Sequence, residues 1–181
     1  MGKVSFSGSE KSIEAIWSWY YDQKEAIRNY KFNIINAIIT SSSNVNSKFL
    51  TFSLDDINIY FEESELELEH LVCFNLISAT EAYLRLDFYK KVYNKDKSEI
   101  GRVFREIHKS NLNKISLEND IIENWKKVYS ERKGDFSSFL GLLKYRHWLA
   151  HGRYWKPKHG QNYNPEIIYD IAENIFDIVS I

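Results

Sequence analysis

The sequence contains few of the residues that crosslink a chain or interrupt its secondary structure: one Cys, two Pro and seven Gly among 181 residues. The single Cys73 excludes an internal disulfide and any zinc site built from several Cys, and it suits a reducing cytosol. No apolar run approaches the roughly 18 residues of a membrane span, and the N-terminal stretch lacks the apolar core of a signal peptide. We therefore expect a soluble, cytoplasmic protein.

The composition is that of an ordinary globular domain. Apolar residues make up 44% of the chain, and five Trp, twelve Tyr and eleven Phe supply bulky core material. That content excludes intrinsic disorder. The net charge of −1 predicts no general attraction to nucleic acid or to a membrane surface. The length favours one domain over residues 1–181.

The distribution of glycine and proline predicts helices. Neither residue occurs between Gly8 and Gly101, whereas an all-β domain needs turn residues about every 8–12 positions. We expect an all-α bundle of five to six helices, in which Ser116, Asp135 and Asn164 cap helices and Gly152 ends one. The predicted helices cover about 9–40, 64–94, 98–111, 116–133, 135–152 and 165 onward. Residues 49–61 fit a short strand, a hairpin or a packed connector.

Charges of opposite sign are segregated along the chain. Residues 49–84 carry eight acidic side chains and neither Lys nor Arg. Residues 136–165 carry no acidic side chain and five basic ones, Lys144, Arg146, Arg153, Lys156 and Lys158. The acidic segment 55–69 fits a basic partner or the basic region of a second subunit. The basic stretch fits a solvated face, a protein-docking face or a local attraction to phosphate.

Aromatic residues are interleaved with the basic residues of this stretch. Tyr145 and Trp148 fall on a predicted helix, and we expect them in the core. Tyr154 and Trp155 follow Gly152, where the helix is expected to end, and are better candidates for the surface. Exposed aromatic rings beside Arg are what unstacked bases of single-stranded RNA pack against.

Arg146 and His151 form an Arg-x4-His pattern inside the long acid-free stretch. The spacing alone is weak evidence for a functional site, because Arg102 with His108 also fits the looser Arg-x4–6-His pattern. Residues five apart lie about 140° apart around an ideal helix, so the pair converges only where the helix ends or distorts. Gly152 makes an ending at this point natural. His147 and His151, four residues apart, share a helix face.

The segment RHWLAHGRYW, which begins at Arg146, resembles the HEPN superfamily, whose hallmark is Arg-x4–6-His near the end of a late helix. ATEAYLRLDF, from Ala79 to Phe88, is similar to the polar-studded helix that packs against this motif. The resemblance is strongest over residues 64–181. It implies an all-α domain that forms a homodimer with two Arg–His motifs facing one cleft. It also implies a metal-independent endoribonuclease without a cofactor, in a toxin–antitoxin or phage-defence setting with an antitoxin or regulatory partner.

The chemistry of RNA cleavage fits these residue types. The 2′-hydroxyl of RNA is an internal nucleophile, so cleavage to 2′,3′-cyclic phosphate and 5′-hydroxyl ends needs a proton shuttle and stabilisation of charge at phosphorus. Histidine serves the first role and the fork of donors on arginine serves the second. We expect His151 to transfer protons, His147 to assist and Arg146 to contact phosphate. The expected RNA-binding residues are Lys144, Arg153 and Tyr154, with Glu81 orienting Arg146 or His151.

Three other interpretations compete with catalysis. In one, His151 only terminates a helix, and Arg146 pairs with Glu81 to hold the bundle together. In the second, the domain is a non-catalytic HEPN protein that binds a nucleotide, RNA or a protein partner. In the third, His147 and His151 bind a metal. The sequence offers neither a Cys nor a carboxylate between these histidines to complete a zinc site, so we expect no metal.

Overall fold

A computed structural model describes residues 4–40, 46–110, 114–156 and 162–179. It is 80% helical and has no strand among these residues, which confirms the predicted all-α fold. No described helix is both long and apolar enough to span a membrane. The six α-helices are α1 (Ile13–Ile39), α2 (Leu54–Tyr93), α3 (Glu99–Ser110), α4 (Glu123–Val128), α5 (Lys133–Ala150) and α6 (Pro165–Val179).

The helix ends agree with the predicted caps at two of three positions. The Ser116 hydroxyl accepts from the Asn119 amide at the start of a π-helical turn, Leu117–Ile122, that leads into α4. The side chain of Asn164 accepts from the Ile167 amide and caps α6. Asp135 is not a cap: α5 begins at Lys133, and Asp135 lies in its first turn, where it accepts a hydrogen bond from Arg132.

Residues 49–61 were expected to form a short strand, a hairpin or a packed connector, and this expectation was wrong for most of the segment, which is helix. A short 3₁₀ turn, Ser47–Phe49, precedes α2, which begins at Leu54 instead of near Ser64. The earlier start has a local cause, because Asp56 accepts from the Ser53 amide while the Ser53 hydroxyl accepts from the Asp56 amide. This reciprocal pair is a capping box that satisfies two backbone donors at the helix start.

The chain divides into two compact units. The smaller, residues 14–72, contains most of α1 and the first part of α2. Its core includes the buried side chains Ile34, Phe49, Ile57 and Phe61. Polar side chains also join its two helices, since Lys24 on α1 forms an ion pair with Glu69 on α2. That one domain covers residues 1–181 stays a prediction.

The larger unit, residues 1–13 and 73–181, is built around a series of buried aromatic rings. Phe88 of α2 contacts Phe104 of α3, with ring centroids 4.8 Å apart. Phe104 contacts Trp125 of α4 edge-on, and Trp125 stacks on Phe136 of α5. Each large ring that is removed from water contributes apolar burial and favourable ring geometry. Four consecutive helices are therefore joined by one continuous aromatic core.

A buried ion pair borders this aromatic core. Lys91 Nζ lies 2.7 Å from Asp87 Oδ1, and the two side chains are only 14% and 12% exposed. Asp87 Oδ2 is buried without a hydrogen-bond partner among the described residues. Burial raises the pKa of Asp87 above its ordinary value, and the hydrogen bond from Lys91 offsets only part of that rise. The Asp87 carboxylate thus loses hydration on folding, and its ion pair with Lys91 makes up for only part of that loss.

Substitution Lys91→Met should destabilise the fold at neutral pH by about 3–5 kcal/mol, because it leaves the buried carboxylate of Asp87 without its cation. A raised folded-state pKa means that stability from this group is present at low pH and is lost as pH rises through that pKa. Lowering the pH from about 7 to about 5 should therefore reduce the deficit. Urea denaturation of the variant and the wild type at both pH values measures it.

Lys109 on α3 is exposed and provides the control. Lys109→Met should change the free energy of unfolding by no more than about 0.5 kcal/mol. If the stability lost in Lys91→Met stays constant or grows as the pH falls, the loss does not come from the buried carboxylate of Asp87.

Candidate active site

Helix α5 ends in a Schellman motif at the predicted position. Gly152 has a φ of +77°, in the left-handed region that glycine adopts at little cost. The amide of Arg153 donates to the Trp148 carbonyl at 3.2 Å, which is the hydrogen bond that defines the motif. The His151 amide donates to the His147 carbonyl. His151 is therefore the C-cap of α5. The chain changes direction after it, and Arg153 also has a left-handed conformation, with φ +58°.

The two histidines of α5 lie against each other. The ring centroids of His147 and His151 are 4.2 Å apart, and both side chains are exposed. Their spacing of four residues produces this contact, as the helix geometry predicts. No group of three His, Cys, Asp or Glu side chains in the described ranges is arranged to hold a metal ion.

Arg146 faces α2, where it meets Glu81. Arg146 Nη2 lies 3.2 Å from Glu81 Oε2. The other oxygen of Glu81 accepts from Arg85 Nε at 3.1 Å and from Arg85 Nη2 at 3.0 Å. One carboxylate, 18% exposed, thus lies between two guanidinium groups. The predicted supporting role of Glu81 corresponds to this contact with Arg146.

A cavity of about 760 Å³ opens beside these side chains, within the larger unit. Its wall comes from α2, from α5, from residues 114–118 and from the chain after α5. Four cationic side chains line it, and two carboxylates accompany them, Glu81 and Glu118. The cations are Arg85, Lys114, Lys144 and Arg146. The wall therefore carries a positive excess before any histidine is protonated.

The structure separates the predicted site residues into two groups. Arg146, His147, Lys144 and Glu81 line the cavity. The other three, His151, Arg153 and Tyr154, lie at the end of α5 and are not among the described residues of the cavity wall. The side chain of Tyr154 is 83% exposed. His147 connects the groups, since it lines the cavity and also contacts His151. Lys158 lies outside the described residues.

Several cavity residues were not predicted as part of the site, among them Arg85, Lys114 and Trp155. Arg85 follows Glu81 by four residues, so helix spacing gave a usable signal for it. Lys114 approaches through the tertiary fold, and no sequence pattern links it to α5. Trp155 had been identified as a surface aromatic, and the structure places it on the cavity wall, with its ring centroid 6.0 Å from that of His147.

Comparisons of the chain with protein-family models, with curated proteins and with solved structures find no match. The resemblance to the HEPN superfamily therefore depends on the residues around Arg146 and His151 and on the Ala79–Phe88 segment. Membership in that family stays a prediction.

Gly134, near the start of α5, and Gly152, just after its end, should respond in opposite directions to alanine. A Cβ at Gly152 or at Gly134 meets no described atom within 4 Å, so only the backbone conformation differs between them. Gly152→Ala forces a left-handed alanine and should cost about 1–2 kcal/mol. Gly134→Ala, at the second residue of α5, should stabilise by up to about 0.5 kcal/mol, because the penalty for glycine is largest in the middle of a helix. Thermal unfolding of both variants measures the difference, and equal effects would contradict the Schellman assignment.

Glu81→Gln should destabilise the larger unit by about 1–2 kcal/mol, because Arg85 and Arg146 lose the carboxylate that separates their charges. The loss should be greater in low salt, where repulsion between the guanidinium groups is less screened. Glu106→Gln, at an exposed carboxylate on α3, is the control. Denaturant titration at two salt concentrations gives both quantities, and a Glu81→Gln protein as stable as the wild type in low salt would exclude the bridging role.

Proposed function

We propose that this protein is a metal-independent endoribonuclease of the HEPN type. The observation that carries the proposal is the contact between His147 and His151, 4.2 Å apart at the end of α5, beside a cationic cavity that contains Arg146. Two adjacent imidazoles and a guanidinium are the groups that cleavage by the 2′-hydroxyl requires. No metal or cofactor takes part in the proposed reaction.

In the proposed reaction, one imidazole accepts the proton of the 2′-hydroxyl as its oxygen forms a bond to phosphorus. The other donates a proton to the 5′-oxygen as the P–O5′ bond breaks. The products are a 2′,3′-cyclic phosphate and a 5′-hydroxyl, so atoms and charge balance without a metal or an external nucleophile. We assign proton transfer to His151 with His147 as the second carrier, and contact with the non-bridging phosphate oxygens to Arg146.

In this proposal, the remaining predicted residues contribute to RNA binding. Glu81 positions Arg146 through their 3.2 Å ion pair, and Lys144 on the cavity wall attracts the phosphate chain. Arg153 and Tyr154 follow directly after the two histidines and hold the flanking strand. We further propose a homodimer whose two motifs face one cleft, together with an antitoxin or regulatory partner, because the resemblance to the HEPN superfamily implies both. The proposed location is the cytoplasm.

A second candidate function is binding of RNA, a nucleotide or a protein without cleavage. It is favoured by the ion pair of Arg146 with Glu81 and by the position of His151 at the exposed end of α5. In this alternative, Arg146 and Glu81 hold the helices together, and His151 has no reacting partner. RNA binding is compatible with both candidates, so cleavage is the property that separates them.

The decisive experiment incubates wild-type protein, His151→Ala and His147→Ala with single-stranded RNA and tRNA in EDTA. Wild-type protein should generate cyclic-phosphate ends. His151→Ala should reduce the rate by about 100-fold or more, the usual contribution of a general acid or base. Gel analysis of end-labelled RNA measures the rates, and a DNA strand of the same sequence should remain intact because it lacks the 2′-hydroxyl.

His70→Ala removes a histidine of the smaller unit and should leave the cleavage rate unchanged. A folded, dimeric wild-type protein that binds RNA but does not cut it would replace the ribonuclease with the non-catalytic candidate. Cleavage that His151→Ala leaves intact would remove the assigned mechanism. A monomeric mass in solution would exclude the shared cleft.

A further inference from the structure

The cavity next to Arg146 has the size of a ligand site and extends well beyond the two histidines. Its volume of about 760 Å³ lies within the ~300–1,000 Å³ that ligand pockets typically enclose. Contact of the RNA with Arg146 and the histidines alone leaves the side of the cavity near residues 114–118 empty. The further residues of that wall indicate what occupies this space.

The charges on the wall select an anion. Glu81 already has Arg85 and Arg146 as partners, so its charge is compensated within the wall. Lys114 and Lys144 add two exposed ammonium groups, against which Glu118 is the remaining carboxylate. A phosphate entering the cavity therefore finds more cations than the wall itself can pair.

Trp155 supplies the cavity with a large planar aromatic surface. Its backbone carbonyl accepts a hydrogen bond from Trp148 Nε1 at 2.8 Å, which fixes the chain after the Schellman motif against α5. The indole is half-buried, and its centroid lies 6.0 Å from that of His147 and 4.6 Å from that of Tyr154, whose ring meets it edge-on. Stacking of a base on an indole needs one free base face and no particular base identity.

We propose that this cavity binds one unpaired nucleotide of an RNA strand, with its base stacked on Trp155 and its phosphate among Arg85, Lys114 and Lys144. The inference rests on the proposed function for the choice of RNA, and it specifies single-stranded RNA as the substrate. A base inside a duplex has both faces covered by its neighbours and cannot reach Trp155. Trp155 is thus a binding residue that determines strand specificity and takes no part in proton transfer.

Binding can be measured separately from cleavage with a fluorescein-labelled 2′-O-methyl RNA oligonucleotide, which lacks the nucleophile. Fluorescence anisotropy should show that wild-type protein binds the single strand more tightly than the same sequence in a duplex. Trp155→Ala should weaken single-strand binding by about 5- to 150-fold, the range for loss of one base stack. Trp155→Phe should retain most of the affinity, and duplex binding should be equal in all three proteins.

One control variant and one variant of the cavity wall test the position of the stack. Trp19→Ala removes a half-buried tryptophan from α1 and should bind as the wild type does. Lys114→Ala should weaken binding of the single strand and lower its salt dependence by about one counterion. Circular dichroism of each variant establishes that the helices are intact, and Trp155→Phe keeps the test valid if the alanine variant unfolds. Quenching of the wild-type indole fluorescence by the oligonucleotide, reduced in Trp155→Phe, is the independent readout.

The inference and the proposed function can fail separately. If Trp155→Ala binds the single strand as tightly as the wild type, or loses duplex affinity equally, the nucleotide site is wrong even when the wild type cleaves RNA. If Trp155→Ala weakens single-strand binding but the wild type cleaves no RNA, the nucleotide site is supported and the proposed ribonuclease activity is wrong.

Discussion

The carboxylate of Glu81, shared by Arg85 and Arg146, is the interaction on which the candidate site depends. Two guanidinium groups in one cavity wall repel each other unless an anion lies between them. Glu81 is well placed for this role because α2 orients it together with Arg85, one turn later, while α5 brings Arg146 from the opposite side. The same contact joins two helices of the larger unit and leaves the lysines of the wall uncompensated. This ion pair, which holds two helices together, therefore also leaves a net positive charge on the cavity wall.

The end of α5 divides a continuous stretch of sequence into two surfaces. Through Ala150 the helix presents Arg146 and His147 to the cavity. The left-handed Gly152 then turns the chain, and the hydrogen bond from Trp148 to the Trp155 carbonyl returns Trp155 to the cavity wall. Residues that are close in sequence therefore lie in two different places, some on the cavity wall and others at the end of α5. His147 lines the cavity and also contacts His151.

Two helix caps and one helix end were predictable from the sequence, whereas most of the tertiary contacts at the candidate site were not. The caps at Ser116 and Asn164 and the Schellman glycine at 152 involve neighbours along the chain, so the sequence alone specifies them. The start of α2 was missed because FLTFSLDDINIYF is rich in aromatic and β-branched residues, whereas the Ser53–Asp56 capping box determined the outcome. The pairing of Glu81 with Arg146 had been expected in the competing interpretation in which the two residues hold the bundle together. The approach of Lys114 and Trp155 to α5 depends on tertiary packing, which no spacing encodes.

Arg85 also resolves the conflict between the structural and the catalytic role of Arg146. An arginine that is the sole partner of a half-buried carboxylate cannot turn toward a phosphate without leaving that carboxylate uncompensated, which costs several kcal/mol. Glu81 retains two hydrogen bonds from Arg85 when Arg146 moves, so the cost is reduced to a weakened ion pair. Arg146 Nε is buried without a hydrogen-bond partner in the described part of the chain, and in the proposed reaction a phosphate oxygen would provide one. The pairing with Glu81 thus holds Arg146 in place between substrates and remains compatible with phosphate binding in the proposed reaction.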